Sequence, residues 1–317
     1  MRCIDIREYE PSDDLVVDMI IGGPPCQTFS AAGRRSAGVK GTTDPRGTLF
    51  QEYVRLLQKL KPKAFLFENV AGILGAEKGE AWKAIINAFQ EVGYKVHWKL
   101  LDSADYGVPQ HRERVFIVGV KEKGFKFPRP THGPDANANY YTAKEATESL
   151  DLSESIKKSQ INGRWSHLIP GIPPGLNYSY YTAEMGHPQP IFAWRSKFSD
   201  FMYKADPHTP VRTIKAQGGQ YTGPFSWENR HFDVAELKRL QTFPDAYLLD
   251  GKRNVQVHQI GNSVPPQIGR ILALSVLDQI FNITPPSPIL YLEEEEELNF
   301  KKRKRELTKH YAIKAKQ

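Results

Sequence analysis

Residues 15–21 read Leu-Val-Val-Asp-Met-Ile-Ile and run directly into Gly22-Gly23-Pro24-Pro25. A seven-residue apolar run, rich in branched side chains and closed by breakers, is too short for a core helix. It predicts a buried strand of the kind found inside a parallel sheet. Leu49, Tyr53, Leu56, Leu57 and Leu60 recur at helical spacing and predict a helix over 48–60, which Pro62 ends. Ala64–Phe67 then read as the next strand. Trp82, Ile85, Ile86 and Phe89 share one helical face over 79–92, and strands are expected near 94–101 and 114–120. This alternation predicts an α/β fold built on a doubly wound sheet.

From about 125 to 230 the chain becomes rich in Pro, Gly, Asn and Tyr and loses clear periodicity. It reads as a second, smaller, loop-rich domain with short strands. Regular structure is expected again as a helix near 233–242, a short strand near 255–258 and a helix over 266–281. The division expected is therefore a first domain over 1–124, a second over 125–230, a return to the first over 231–285, and a charged tail over 286–317. That tail carries Glu293–Glu297 followed by Lys301-Lys302-Arg303-Lys304-Arg305, a pattern of a solvated, disordered extension.

A formal charge of +7 and a pI near 9.1 permit an acidic partner such as nucleic acid without requiring one. The two cysteines, Cys3 and Cys26, suggest no disulfide framework and favour a reducing compartment. No C-x-x-C or H-E-x-x-H occurs, so no metal site is expected. No run of ~18 apolar residues is present, and a cytoplasmic protein without a membrane partner is expected.

Three segments carry chemistry. The first is Gly22-Gly23-Pro24-Pro25-Cys26-Gln27-Thr28-Phe29-Ser30, directly after the first strand. Ligand sites in open α/β sheets lie outside the carboxyl ends of strands, where this loop falls. A buried structural cysteine is the commoner fate of that residue, yet a core cysteine needs no Gly-Gly-Pro-Pro approach; Cys3, lacking that setting, reads as structural. The second is Phe67-Glu68-Asn69-Val70, which brings Glu68 to the same edge, although a solvated or helix-capping glutamate would look alike. The third is Gln110-His111-Arg112-Glu113-Arg114, where two arginines two apart at a strand start point to one face, as surface charges or as anion and base-edge contacts.

Taken together these residues resemble the DNA cytosine-5 methyltransferase family. Pro-Pro-Cys-Gln, Glu-Asn-Val, Gln-x-Arg-x-Arg, Arg212-Thr213-Ile214, Leu237–Pro244 and Gly261-Asn262-Ser263-Val264-Pro265-Pro266 occur in that family's order, over residues 1 to about 285. The resemblance implies a Rossmann-like methyltransferase sheet, a target-recognition domain over 125–230, and methyl transfer from S-adenosylmethionine to cytosine carbon 5 in double-stranded DNA. It implies Cys26 as the nucleophile at carbon 6, Glu68 as the carboxyl group at ring N3, and Arg112 and Arg114 as further catalytic residues, Arg114 being favoured. The target base must first leave the stack, and residues 29–48, with Arg34, Arg35, Lys40 and Arg46, would close over DNA. Asp5, Pro24, Leu49, Asn262 and Ser263 match positions that contact the methyl donor. Gln27, Ser30, Arg34, Arg35, Gln110, Arg212, Thr213, Gln217 and Gln220 are the DNA-contact candidates.

The family's opening strand, Gly-rich turn and helix, which cradle the donor, are not found in the sequence, so the sheet is expected to be N-terminally incomplete. Three alternatives stay open: a truncated chain, one half of an enzyme completed by an N-terminal methylase polypeptide, or an inactive DNA-binding remnant. A cognate restriction endonuclease encoded nearby is the further partner the resemblance implies. A cysteine hydrolase is a weaker alternative, with His111 its one motif-adjacent base.

Overall fold

In the computed structural model, which describes residues 3–24, 49–153, 159–196 and 198–293, Ala64–Val70 form strand β2 in the middle of a four-stranded sheet. On one side β2 pairs in parallel with β1 (Met19–Gly22). On the other it pairs antiparallel with β5 (Glu113–Val120), which pairs antiparallel with β3 (Lys95–Asp102). β1, β2 and β3 thus run one way and β5 the other. The long branched and aromatic runs of β2 and β5 suit a strand covered on both faces. Two helices, α1 (Leu49–Leu60) and α2 (Glu80–Glu91), supply Phe50, Tyr53, Leu57, Ala81, Ile85 and Phe89 to a core with Phe65, Phe67, Val115 and Ile117. Aromatic edges lock this core, with Phe65 and Phe89 centroids 4.6 Å apart and Tyr53 and Phe67 5.4 Å apart. Gly119 is a packing requirement, since a Cβ there would lie 1.9 Å from the Phe65 ring.

Cα packing divides the described chain into two compact units. The sheet unit is drawn from residues up to Asp102, from Glu113–Arg129 and from Ile271 onward; the second takes Ser103–Arg112 and Pro130–Arg270. The second unit holds strand β4 (Gln110–His111) paired in parallel with β6 (Val211–Arg212), and helices α3 (Ala143–Thr147), α4 (Val234–Leu240) and α5 (Arg253–Asn262). The first turn of α6 (Pro266–Gln279) also belongs to it. Reciprocal capping boxes start α3 (Thr142 with Glu145) and α4 (Asp233 with Glu236). One apolar cluster gathers Val211, Ile214, Phe232, Leu237, Leu240 and Ile260, and a second gathers Ile169, Tyr178, Tyr181, Met202 and Phe225. Among the described residues no helix is long and apolar enough to cross a membrane.

The structure corrects two expectations. The strand expected over 15–21 is confined to Met19–Gly22 and is half-buried, with Val16 88% and Ile21 66% exposed. It is an edge strand among the described residues: β2 covers one side only, so its apolar side chains lack the second neighbour that full burial needs. The short strand expected at 255–258 is instead the middle of α5. Val255 and Val257 suggested a strand through their branching, but that penalty in a helix is a few tenths of a kcal/mol. Packing outweighs it, because the helix brings Ile260 into the core and Gly261 against Ala216. The charged tail from residue 294 lies outside the described residues.

Candidate active site

β2 leaves the sheet through Glu68-Asn69-Val70, and the chain after β1 passes beside it through Gly23 and Pro24. A Cβ on Gly23 would stand 2.8 Å from Glu68 Oε2. A side chain there would push the carboxylate away from its place beside Arg114. Asn69, 4% exposed, donates from Nδ2 to the Pro24 carbonyl (3.4 Å), while its Oδ1 accepts from the Val70 backbone (2.9 Å). The chain at Pro24 is thus fastened from the neighbouring strand. On the other side of β2, Arg114 at the start of β5 reaches Glu68 with Nε to Oε1 at 2.9 Å. Their side chains keep 14% and 20% of their exposure, so the pair is largely withdrawn from water. Burial holds the Arg114 guanidinium below its ordinary pKa and the Glu68 charge pulls it back. Tyr53 ties β1 to β2, its hydroxyl lying 2.9 Å from the Ile20 carbonyl and 3.0 Å from that of Leu66.

Cys26 itself, with Gln27, Ser30, Arg34 and Arg35, lies outside the described residues, as does the whole expected lid. What is described is the carboxylate–guanidinium pair at the strand edge and the glycine that starts the path to Cys26.

A second polar centre lies within the other unit. Arg112, 2% exposed, donates from Nη2 to the Gly261 carbonyl (2.9 Å) and from Nη1 to that of Ile214 (3.3 Å). Gln110 is fully buried. Its amide nitrogen donates to Gln241 and, at 3.4 Å, to the Leu240 carbonyl, and its oxygen accepts from the Ile214 backbone at 3.0 Å. Gln241 in turn donates to the carbonyls of Ile260 (3.1 Å) and Ser263 (2.9 Å). Gly261 permits this knot, because a Cβ there would fall 2.2 Å from the Ala216 backbone nitrogen. The two arginines of Gln-x-Arg-x-Arg are thus engaged separately, Arg114 with Glu68 and Arg112 in clamping the 214 and 261 segments.

The other expected contacts fall into two groups. Thr213 donates to the His111 carbonyl (2.8 Å), and Arg212 donates to that of Ser199 (2.9 Å) with its guanidinium 3.8 Å from the Tyr203 ring centroid. Gln217 and Gln220 are exposed, on a loop whose Gln220 amide donates to the Asn162 carbonyl (2.7 Å). Of the donor candidates, Asp5 is held by Arg7 through a 2.6 Å ion pair, and this hydrogen bonding takes its carboxyl down to about 2. Leu49 opens α1, Asn262 is exposed beside His258, and the Ser263 hydroxyl donates to the Ile260 carbonyl (2.7 Å). Among the described residues no three His, Cys, Asp or Glu side chains converge as a metal-binding group.

The sequence reading gave no role to Gln241 or Asn69. Each is a lone amide whose importance lies in carbonyls distant in the chain, and a single sequence carries no signal for such a partner.

The model of the family described as C-5 cytosine-specific DNA methylase matches residues 1–278. The chain is 37% identical over 284 residues to the Type II methyltransferase M.SacI of Streptomyces achromogenes, covering 83% of this chain and 72% of that protein. It is 35% identical over 283 residues to the Type II methyltransferase M.NgoFVII of Neisseria gonorrhoeae, covering 86% and 73%. A triple mutant of Spodoptera frugiperda DNMT2 shares the fold with a TM-score of 0.53 at 18% identity, over 84% of each chain. The mixed sheet with its flanking helices is accordingly a Rossmann-like methyltransferase fold, and the chain belongs to the C-5 cytosine-specific DNA methylase family.

Proposed function

We propose that the protein methylates carbon 5 of cytosine at a specific sequence in double-stranded DNA, after rotating the base out of the stack, and that Cys26, Glu68 and Arg114 act on the ring. The Glu68–Arg114 pair, set against Gly23, carries this reading. A carboxyl group beside a guanidinium matches the edge of cytosine that presents N3 next to the carbonyl oxygen. The Cys26 thiolate adds to carbon 6, and the electron pair of the 5,6 double bond moves into the ring. Glu68 relieves the resulting charge by sharing a proton at N3, while Arg114 donates to the carbonyl. Carbon 5 thereby becomes the nucleophile that accepts a methyl group. Loss of its proton to water then expels the thiolate and restores the ring. Arg112 positions backbone segments, in keeping with its two carbonyl partners.

S-adenosylmethionine supplies the methyl group in this family. We assign Asp5, Pro24, Leu49, Asn262 and Ser263 to its binding. Residues 125–230 serve target recognition, with the exposed Gln217–Gln220 loop as the reader. The Type II relatives support a role in restriction–modification beside a cognate endonuclease, in the cytoplasm where the DNA lies.

Transfer of tritium from labelled S-adenosylmethionine to DNA tests the proposal. Transfer is expected, and Glu68→Gln should slow it by about 100-fold or more. No transfer would leave only a DNA-binding remnant.

A further inference from the structure

The aromatic cluster of the second unit is bordered by a turn with exposed apolar side chains. Tyr178 and Tyr181 are 3% and 7% exposed, whereas Ile191, Trp194 and Phe198 are 45%, 49% and 42% exposed. The turn is fixed from beneath. The Tyr178 hydroxyl accepts from the Arg195 backbone N–H (2.8 Å) and donates to the Arg195 carbonyl (3.0 Å). The Phe198 N–H donates to the same carbonyl (3.3 Å), and the Phe201 N–H to the Phe198 carbonyl (3.1 Å). Phe198 touches Tyr178 and Phe201 only by ring edges, at 6.4 and 6.3 Å, and the Arg195 guanidinium lies 5.3 Å from its centroid. The same cluster holds a second arginine–aromatic pair, Arg164 at 4.5 Å from the Trp165 centroid. From His187 to Phe198 the sequence contains Arg195 and Lys197 and no Asp or Glu.

An ordered turn that leaves Trp194 49% and Phe198 42% exposed keeps those apolar surfaces open to a ligand. Flat apolar faces interleaved with cations and free of acidic residues are what proteins offer to unstacked bases and their phosphates. A protein partner would take the aromatic faces equally well, but Arg195, in a stretch from His187 to Phe198 without Asp or Glu, favours a polyanion. We propose that Trp194 and Phe198 form a stacking platform for a base of the bound DNA that is out of the helical stack, with Arg195 meeting the adjoining phosphate. This rests on the reading that the protein acts on DNA and adds a subsite to it.

The test is fluorescence anisotropy with two labelled duplexes of one sequence, one fully paired and one carrying a single unpaired nucleotide. Wild type should bind the second more tightly. Trp194→Ala and Phe198→Ala should each weaken that binding by about 5- to 100-fold, alter the paired duplex less than about threefold, and leave thermal unfolding unchanged, while Trp194→Phe retains most of the preference. Variants that bind both duplexes as wild type does overturn the platform, as does an equal loss on both. A change in sedimentation caused by these substitutions assigns the turn to self-association instead. Failure of wild type to bind DNA in any form removes the broader reading together with the platform.

Discussion

The two units are held together by different physics. The sheet unit closes on a periodic apolar core, in which β2, β5, α1 and α2 each present a face of aromatic and branched residues. The second unit has short helices, two strands of two residues each, and clusters joined by buried polar groups: Arg112 on two carbonyls, Gln110 on Gln241, Arg230 on Glu236. Non-directional burial tolerates local adjustment, whereas a buried hydrogen bond is lost outright when one partner goes. The second unit should therefore be the more brittle, and its weak points should be single polar residues.

The largest effect is expected at Arg112. Arg112→Met leaves the Gly261 and Ile214 carbonyls without these donors and should cost about 3–5 kcal/mol. Segment-resolved hydrogen exchange should show protection lost first around 211–214 and α5, with the sheet still protected. The converse case is Gly119→Val, which drives a side chain into the Phe65 ring and should cost about 2–3 kcal/mol through overpacking. Here β2 and β5 should lose protection first. Simultaneous loss in both units for either variant would mean that they unfold as one.

This contrast also explains what the sequence revealed. The helices over 48–60 and 79–92, and the strands at 64, 94 and 114, were legible because a covered sheet imposes a period on every element. β1 was overextended because an apolar run does not say whether one or two neighbours cover it. Val255 and Val257 misled because a short branched run is ambiguous until Gly261 meets Ala216. In the site, Glu68 and Arg114 stand out as candidates by residue type and position, while their ion pair does not. The separate engagement of Arg112, and the roles of Asn69 and Gln241, were not legible, since each depends on a carbonyl far along the chain.

A smaller effect is expected from pH. Burial, with the nearby Arg253 charge, pushes His231 in the second unit down to about 4. Between about 6.5 and 4 the unfolded chain takes up a proton that the folded chain refuses, so stability falls as pH drops through that window and levels off below it. The contribution is about 1–2 kcal/mol after allowance for partial exposure. Thermal unfolding of wild type and His231→Phe at pH 7.5 and 4.5 should show a smaller acid loss in the variant. An equal loss would place the acid sensitivity elsewhere.

The central claim is that the path through Gly23 delivers Cys26 to a cytosine held by Glu68 and Arg114. DNA carrying 5-fluorocytosine tests it directly, because fluorine at carbon 5 blocks the final elimination and traps the sulfur–carbon 6 bond. With donor present, the account predicts a denaturation-resistant protein–DNA adduct that Cys26→Ser abolishes and Cys3→Ser leaves intact. An adduct that survives Cys26→Ser would contradict it.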